Sequence, residues 1–100
     1  MWADARGDEK NGELDRLLDV LCSLGTPDEA RALLGDLCTP REIADLSQRL
    51  EVARMLSQGH SYVDVSRATG ASSTTVSRVS KCLNGGLGGY RLVLSRLERL

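Results

Sequence analysis

Ser61-Tyr62-Val63-Asp64-Val65-Ser66-Arg67-Ala68-Thr69-Gly70-Ala71-Ser72-Ser73-Thr74-Thr75-Val76-Ser77-Arg78-Val79-Ser80-Lys81-Cys82-Leu83 is the stretch that decides the fold. Ser61 and Ser72 each stand where a helix wants a side-chain oxygen to cap its first free N–H groups. Gly70 lies between them and supplies the positive φ of a tight turn. The spacing predicts a short helix over residues 62–69 and a second over 73–83, which is a helix-turn-helix over about 61–83. Val65 and Ser66 precede the turn, where small side chains let the second helix cross closely. Val76 and Val79 share a face with Ser72 and Leu83, so that face anchors the second helix.

At about 100° per residue, Thr74, Arg78 and Lys81 fall opposite Val76, and Ser77 joins them at the edge. The outward face is therefore polar and carries two positive charges. Two readings stand open: a solvated face on an ordinary helical hairpin, or a face that enters the major groove of DNA. For the second, the chemistry is suitable. Hydroxyls can donate to or accept from base edges, Arg78 and Lys81 can neutralise phosphates, and the helix start near Ser72 favours an anion.

Upstream, Leu14, Leu17, Leu18, Leu21 and Leu24 recur at the spacing of one helix face, and Gly25 stops it. Thr26-Pro27-Asp28-Glu29 opens a second helix to about Leu37, the threonine capping and Glu29 reaching back to the cap. The same device at Thr39-Pro40-Arg41-Glu42 opens a long third helix, with Ile43, Leu46, Leu50, Ala53 and Leu56 along one side and Gly59 closing it. Downstream, Gly85-Gly86-Leu87-Gly88-Gly89 reads as a hinge, and Leu92, Val93, Leu97 and Leu100 as a sixth helix. No strand alternation appears, so the class is all-α. Residues 1–12 are polar without period and read as a disordered arm, leaving 13–100 as one domain.

The chain has 100 residues, of which 41% are apolar, 27% are charged and only three are aromatic. Its core must come from 17 leucines with alanines and valines as filler, a small store that favours a partner subunit. The net charge of −1 hides an asymmetry: residues 1–59 hold seven Lys/Arg against twelve Asp/Glu, and residues 60–100 hold six against two. That split suits an anion-binding half on an acidic scaffold. No stretch reaches the length of a membrane span and the start lacks the apolar run of a signal peptide, so a cytoplasmic location is expected. Cys22, Cys38 and Cys82, odd in number and widely spaced, read as reduced thiols; with His60 the only histidine, no metal site is expected. Ser61 and Asp64 read as a capping pair beside His60 in a turn, not as a catalytic set. The glycines at 85–89 lack nucleotide-cradle spacing. No cofactor and no enzymatic site are expected. Arg49 and Arg54 on the third helix read as solvated charges, inter-subunit pairs or a ligand clamp.

From Leu37 to Leu100 the chain resembles the Trp-repressor-like family, in its YerC/YecD branch. The resemblance is carried by Thr39-Pro40-Arg41-Glu42, by Arg49-Leu50-Glu51-Val52-Ala53-Arg54-Met55-Leu56, by Thr69-Gly70-Ala71-Ser72 with Val76-Ser77-Arg78-Val79, and by Cys82-Leu83-Asn84 with Gly88-Gly89-Tyr90-Arg91-Leu92. It implies a six-helix fold and an intertwined homodimer in which helices one, two and six interlock, acting on double-stranded DNA as a transcriptional regulator. The family's base-facing positions fall on Ser73, Thr74 and Ser77, and the arginines that hold a bound tryptophan fall on Arg49 and Arg78. Where the family has a glycine that leaves room for the indole, this chain has Val79, which argues against tryptophan as co-repressor. Val63 and Ser66 occupy the places of two basic DNA contacts, and Arg67 is the nearest substitute. The expected DNA surface is thus Arg67, Ser72, Ser73, Thr74, Ser77, Arg78 and Lys81, and the candidate ligand pocket Arg49, Arg78 and Val79. The competing reading is a helical protein-interaction module that keeps the fold and binds no DNA.

Overall fold

The computed structural model describes residues 9–98 and contains six helices in that span: α1 Glu9–Ser23, α2 Pro27–Leu37, α3 Pro40–Ser57, α4 Tyr62–Thr69, α5 Ser73–Gly85 and α6 Gly89–Leu97. No strand occurs among the described residues. The chain divides into two units, one ending at Thr39 and one running from Pro40.

In the first unit, α1 begins four residues before the expected Glu13, so part of the predicted arm of residues 1–12 is helical. The physical reason is that helix propagation adds a backbone hydrogen bond per residue whether or not a residue has an apolar partner, and a search for leucines does not see it. The rest of that arm lies outside the described residues. Thr26 caps α2 as its position predicts: its Oγ1 accepts the N–H of Glu29 at 3.1 Å. The Glu29 carboxylate reaches back one residue further than expected, accepting the N–H of Gly25 at 2.8 Å. At the far end the Cys38 N–H donates to the Leu34 carbonyl at 2.9 Å. No residue of α2 is buried, and in α1 Leu17, Val20 and Leu21 are exposed.

The second unit has the core. Val52 and Ala53 of α3, Val65 of α4, Ala71 of the turn, Val76, Val79 and Leu83 of α5 and Leu94 of α6 form one buried cluster, with Met55, Leu56 and Tyr90 packed against it. Val52, Val65 and Val76 are its largest fully buried side chains. Of the apolar stripe expected on α3, Ala53 and Leu56 are on the core side, and Leu46 and Leu50 are exposed. The helix carries apolar residues on more than one side, and periodicity alone does not say which side meets the core. On the solvent side Glu51 and Arg54 make a two-pronged pair, with Arg54 Nε donating to Glu51 Oε1 at 2.9 Å. The hydrogen bond from Arg54 holds the Glu51 carboxyl below its ordinary range.

α5 runs two residues past the expected Leu83 and stops at Gly86, whose N–H donates to the Cys82 carbonyl at 2.9 Å. A Cβ on Gly86 would lie 2.5 Å from that carbonyl oxygen, so glycine is required by close approach. α6 follows from Gly89; the predicted Leu100 falls outside the described residues.

Candidate nucleic-acid interface

Serine and threonine hydroxyls build the helix-turn-helix locally. Ser61 Oγ accepts the Asp64 N–H at 3.1 Å and starts α4, as the capping reading expects. Gly70 ends α4 with φ 77°, and its N–H donates to the Ser66 carbonyl at 2.9 Å. A left-handed residue costs any L side chain about 1–2 kcal/mol, which is why glycine sits here. Ser66 Oγ donates to the Ala71 carbonyl at 2.6 Å, and the Ala71 N–H donates to Thr69 Oγ1 at 3.2 Å. The turn has a longer-range tie as well: Gln48 Nε2 of α3 donates to the Thr69 carbonyl at 3.2 Å. Neither the Gln48 clamp nor its partner carries a local signal in the sequence.

Ser72 caps α5, its Oγ accepting the Thr75 N–H and donating to Thr75 Oγ1, both at 3.1 Å. Of the expected surface residues, Ser72 is therefore the one whose hydroxyl is engaged within the protein. Val76, Val79 and Leu83 turn inward, and the opposite side of α5 is open. Ser73, Thr74, Ser77, Arg78 and Lys81 line one shallow groove together with Tyr62 from the start of α4. A neighbouring depression shares Tyr62 and Ser73 and adds Val63, Ser66 and Arg67. The structure thus brings together the three hydroxyls and two cations expected on the recognition face, and puts Arg67 on the adjoining wall. Three hydroxyls present rotatable donors and acceptors, while the cations flank them as fixed positive charge, a combination suited to polyanion edges.

Tyr62 was not among the expected surface residues. It is half exposed, and its hydroxyl donates to Ser80 Oγ at 2.6 Å. Ser80 is otherwise buried, and Asn84 Nδ2 donates to its carbonyl at 2.9 Å. Arg91 of α6 in turn donates to Asn84 Oδ1 at 3.0 Å. Its hydroxyl partner lies 18 residues away in sequence, so no short-range pattern announces it.

The three residues named for the candidate ligand pocket face different surroundings. Val79 is 2% exposed and belongs to the core, whereas Arg78 lines the outer groove and Arg49 is exposed on α3. The reason is the helix period: Arg78 and Val79 are consecutive, and one step along a helix rotates them by about 100° onto different faces. Among the described residues no group of three or more His, Cys, Asp or Glu is placed to hold a metal ion, and no helix is long and apolar enough to cross a membrane.

The profile of the Trp repressor protein family matches residues 12–98, and the chain belongs to that family. It is 46% identical over 86 residues to the uncharacterized protein YerC of Bacillus subtilis (strain 168), covering 86% of this chain and 83% of that protein. Among solved structures, a TrpR-like protein from Eubacterium eligens ATCC 27750 superposes with a TM-score of 0.83 at 44% identity, over 89% of this chain and 92% of the other. A second crystal structure, of a Staphylococcus aureus protein, gives a TM-score of 0.85 at 38% identity, over 96% of this chain and 92% of that one. Family membership makes a helix-turn-helix DNA-binding regulator the general class of the protein and carries the six-helix fold with it.

Proposed function

We propose that this protein is a sequence-specific DNA-binding repressor that works in the cytoplasm as a homodimer by occupying its operator, and that tryptophan is not its co-repressor. The observation that carries the reading is the groove on α5, where Ser73, Thr74, Ser77, Arg78 and Lys81 face outward together. Arg78, Lys81 and the neighbouring Arg67 serve phosphates, the three hydroxyls serve base edges, and the capped start of α5 at Ser72 offers its N–H groups to a phosphate. The apolar residues left exposed on α1 and α6, among them Leu17, Leu21, Leu92 and Leu97, support the dimer, because a second copy would take them out of water. The burial of Val79 supports the statement on tryptophan: its two methyl groups are fixed in the core, and a β-branched residue cannot swing both away to open a slot.

Selection of bound fragments from random and genomic DNA tests the reading directly. A recovered consensus should bind the wild type, and Arg78→Ala or Lys81→Ala should weaken all sequences alike and reduce the salt slope by about 1. Thr74→Ala should cost of the order of 1 kcal/mol and mainly relax the consensus. Failure to enrich any sequence, with binding unchanged in Arg78→Ala/Lys81→Ala, would favour a protein-interaction module. Calorimetric titration with L-tryptophan should show no heat of binding, and a micromolar dissociation constant would overturn that part.

A further inference from the structure

We infer that Tyr62 is a specificity-determining contact of the α5 groove, held in place by a polar relay from α6 through Arg91, Asn84 and Ser80. This rests on the DNA-binding reading above and adds a residue from α4 to the reading surface.

Tyr62 lines the same groove as Ser73, Thr74, Ser77, Arg78 and Lys81, and also the depression that contains Arg67. It is the one residue besides Ser73 that lines both. Half its surface is open to solvent, so an aromatic ring is displayed between hydroxyls and cations. A free phenol there would rotate about two side-chain bonds. Here the O–H is committed as a donor to Ser80 Oγ at 2.6 Å, which leaves the phenolic oxygen only its capacity to accept. An acceptor with no donor to offer discriminates: it takes a hydrogen bond from an exocyclic amino group of cytosine or adenine and gives nothing to a guanine or thymine oxygen.

The anchor is itself oriented. Asn84 Nδ2 donates to the Ser80 carbonyl at 2.9 Å and to Ser80 Oγ at 3.3 Å, and Arg91 Nη2 donates to Asn84 Oδ1 at 3.0 Å. Ser80 Oγ thus receives two donors, from Tyr62 and Asn84, and Arg91 fixes which end of the Asn84 amide points at it. Ser80, Asn84 and Arg91 are positioning residues, and Tyr62 is the group that meets DNA.

Tyr62→Phe is the test, because it keeps the ring and removes only the oxygen. Wild type and variant are compared as full chains against the wild-type consensus, against random DNA, and in a repeated selection, with melting temperature measured alongside. The expected result is about a three- to tenfold loss on the consensus, unchanged affinity for random DNA, an unchanged salt slope, and a selected consensus that loses its preference at one position. Ser80→Ala should give the same loss of preference with Tyr62 intact, since the phenol would then be free to donate. A structural role alone would lower the melting temperature and weaken both kinds of DNA together. The inference is overturned if Tyr62→Phe selects the wild-type consensus with wild-type preference at every position. If the wild type itself enriches no sequence, the DNA-binding reading fails instead, and the two failures are distinguished by that arm.

Discussion

The two units of this chain use the same kinds of helix signal and differ in what their side chains do with it. In the second unit, valines from three helices meet at zero exposure, and eight residues form one cluster. In the first, the start of α2 is as well capped as that of α5, yet α2 has no fully buried residue, its Leu33 and Leu34 being half-buried, and α1 leaves Leu17, Val20 and Leu21 exposed. Local hydrogen bonding specifies where helices begin and end, and burial specifies whether a unit is stable alone. By that measure the second unit has a buried core, and the first is a set of well-formed helices with no fully buried residue among those described.

Replacing a core leucine tests the second half of that contrast with the largest expected effect. Leu83→Ala removes a nearly buried side chain that packs in the cluster, and should lower the unfolding free energy by about 2–5 kcal/mol in chemical denaturation at fixed protein concentration. Leu21→Ala is its counterpart in the first unit. If the leucine face is covered by a second copy, the variant should lose about 2 kcal/mol and sediment increasingly as a monomer on dilution. A change within about 0.5 kcal/mol, with twice the chain mass retained, would show that the face stays in solvent and break the contrast.

Capping should not distinguish the units. Thr26→Ala and Ser72→Ala each free the N–H of one residue, Glu29 and Thr75 respectively, and each should cost about 1 kcal/mol if the chain unfolds as one cooperative whole. A cost seen only for Ser72→Ala would mean that the first unit melts separately, which two transitions by circular dichroism would also reveal. The smallest effect is acidic. Glu51 has its pKa lowered by the hydrogen bond from Arg54, so the pair's contribution is fully present above the ordinary value of 4.5 and is lost as pH falls through the lower folded value. Glu51 and Arg54 are both partly exposed, which limits the gain. Melting temperature followed below pH 4.5 should therefore fall slightly less steeply in Glu51→Gln than in the wild type.

What could be read from the sequence follows the same division between near and far. The helix-turn-helix was legible because each of its devices closes within a few residues: Ser61 with Asp64, Gly70 with Ser66, Ser72 with Thr75. The polar face of α5 follows from helical period with Val76 and Val79 as anchors. That Leu46 and Leu50 are exposed while Ala53 of the same stripe is buried has no signal in the sequence, because a periodic stripe reports amphipathicity and not its partner. Tyr62 and Gln48 were missed because Ser80 and Thr69 lie 18 and 21 residues from them, and no spacing rule links a phenol to a serine on another helix. Arg49, Arg78 and Val79 are grouped by the family resemblance alone, and nothing in the local pattern of the sequence brings the three together.

The valines at the centre of the second unit bear on how its outer face behaves in time. Val52, Val65 and Val76 come from α3, α4 and α5, and a β-branched side chain within a helix has essentially one rotamer. A core of leucines or methionines could repack by exchanging rotamers, letting neighbouring helices slide between several nearly equal arrangements. These valines have little rotameric entropy to lose on packing and no alternative set of rotamers to move into. At these three positions the packing of α5 on α4 and α3 therefore has few alternatives, and the leucines and Met55 around them are the part that can adjust. The outer surface of α5 thus rests on three side chains that hold one rotamer each, directly beneath the polar groove.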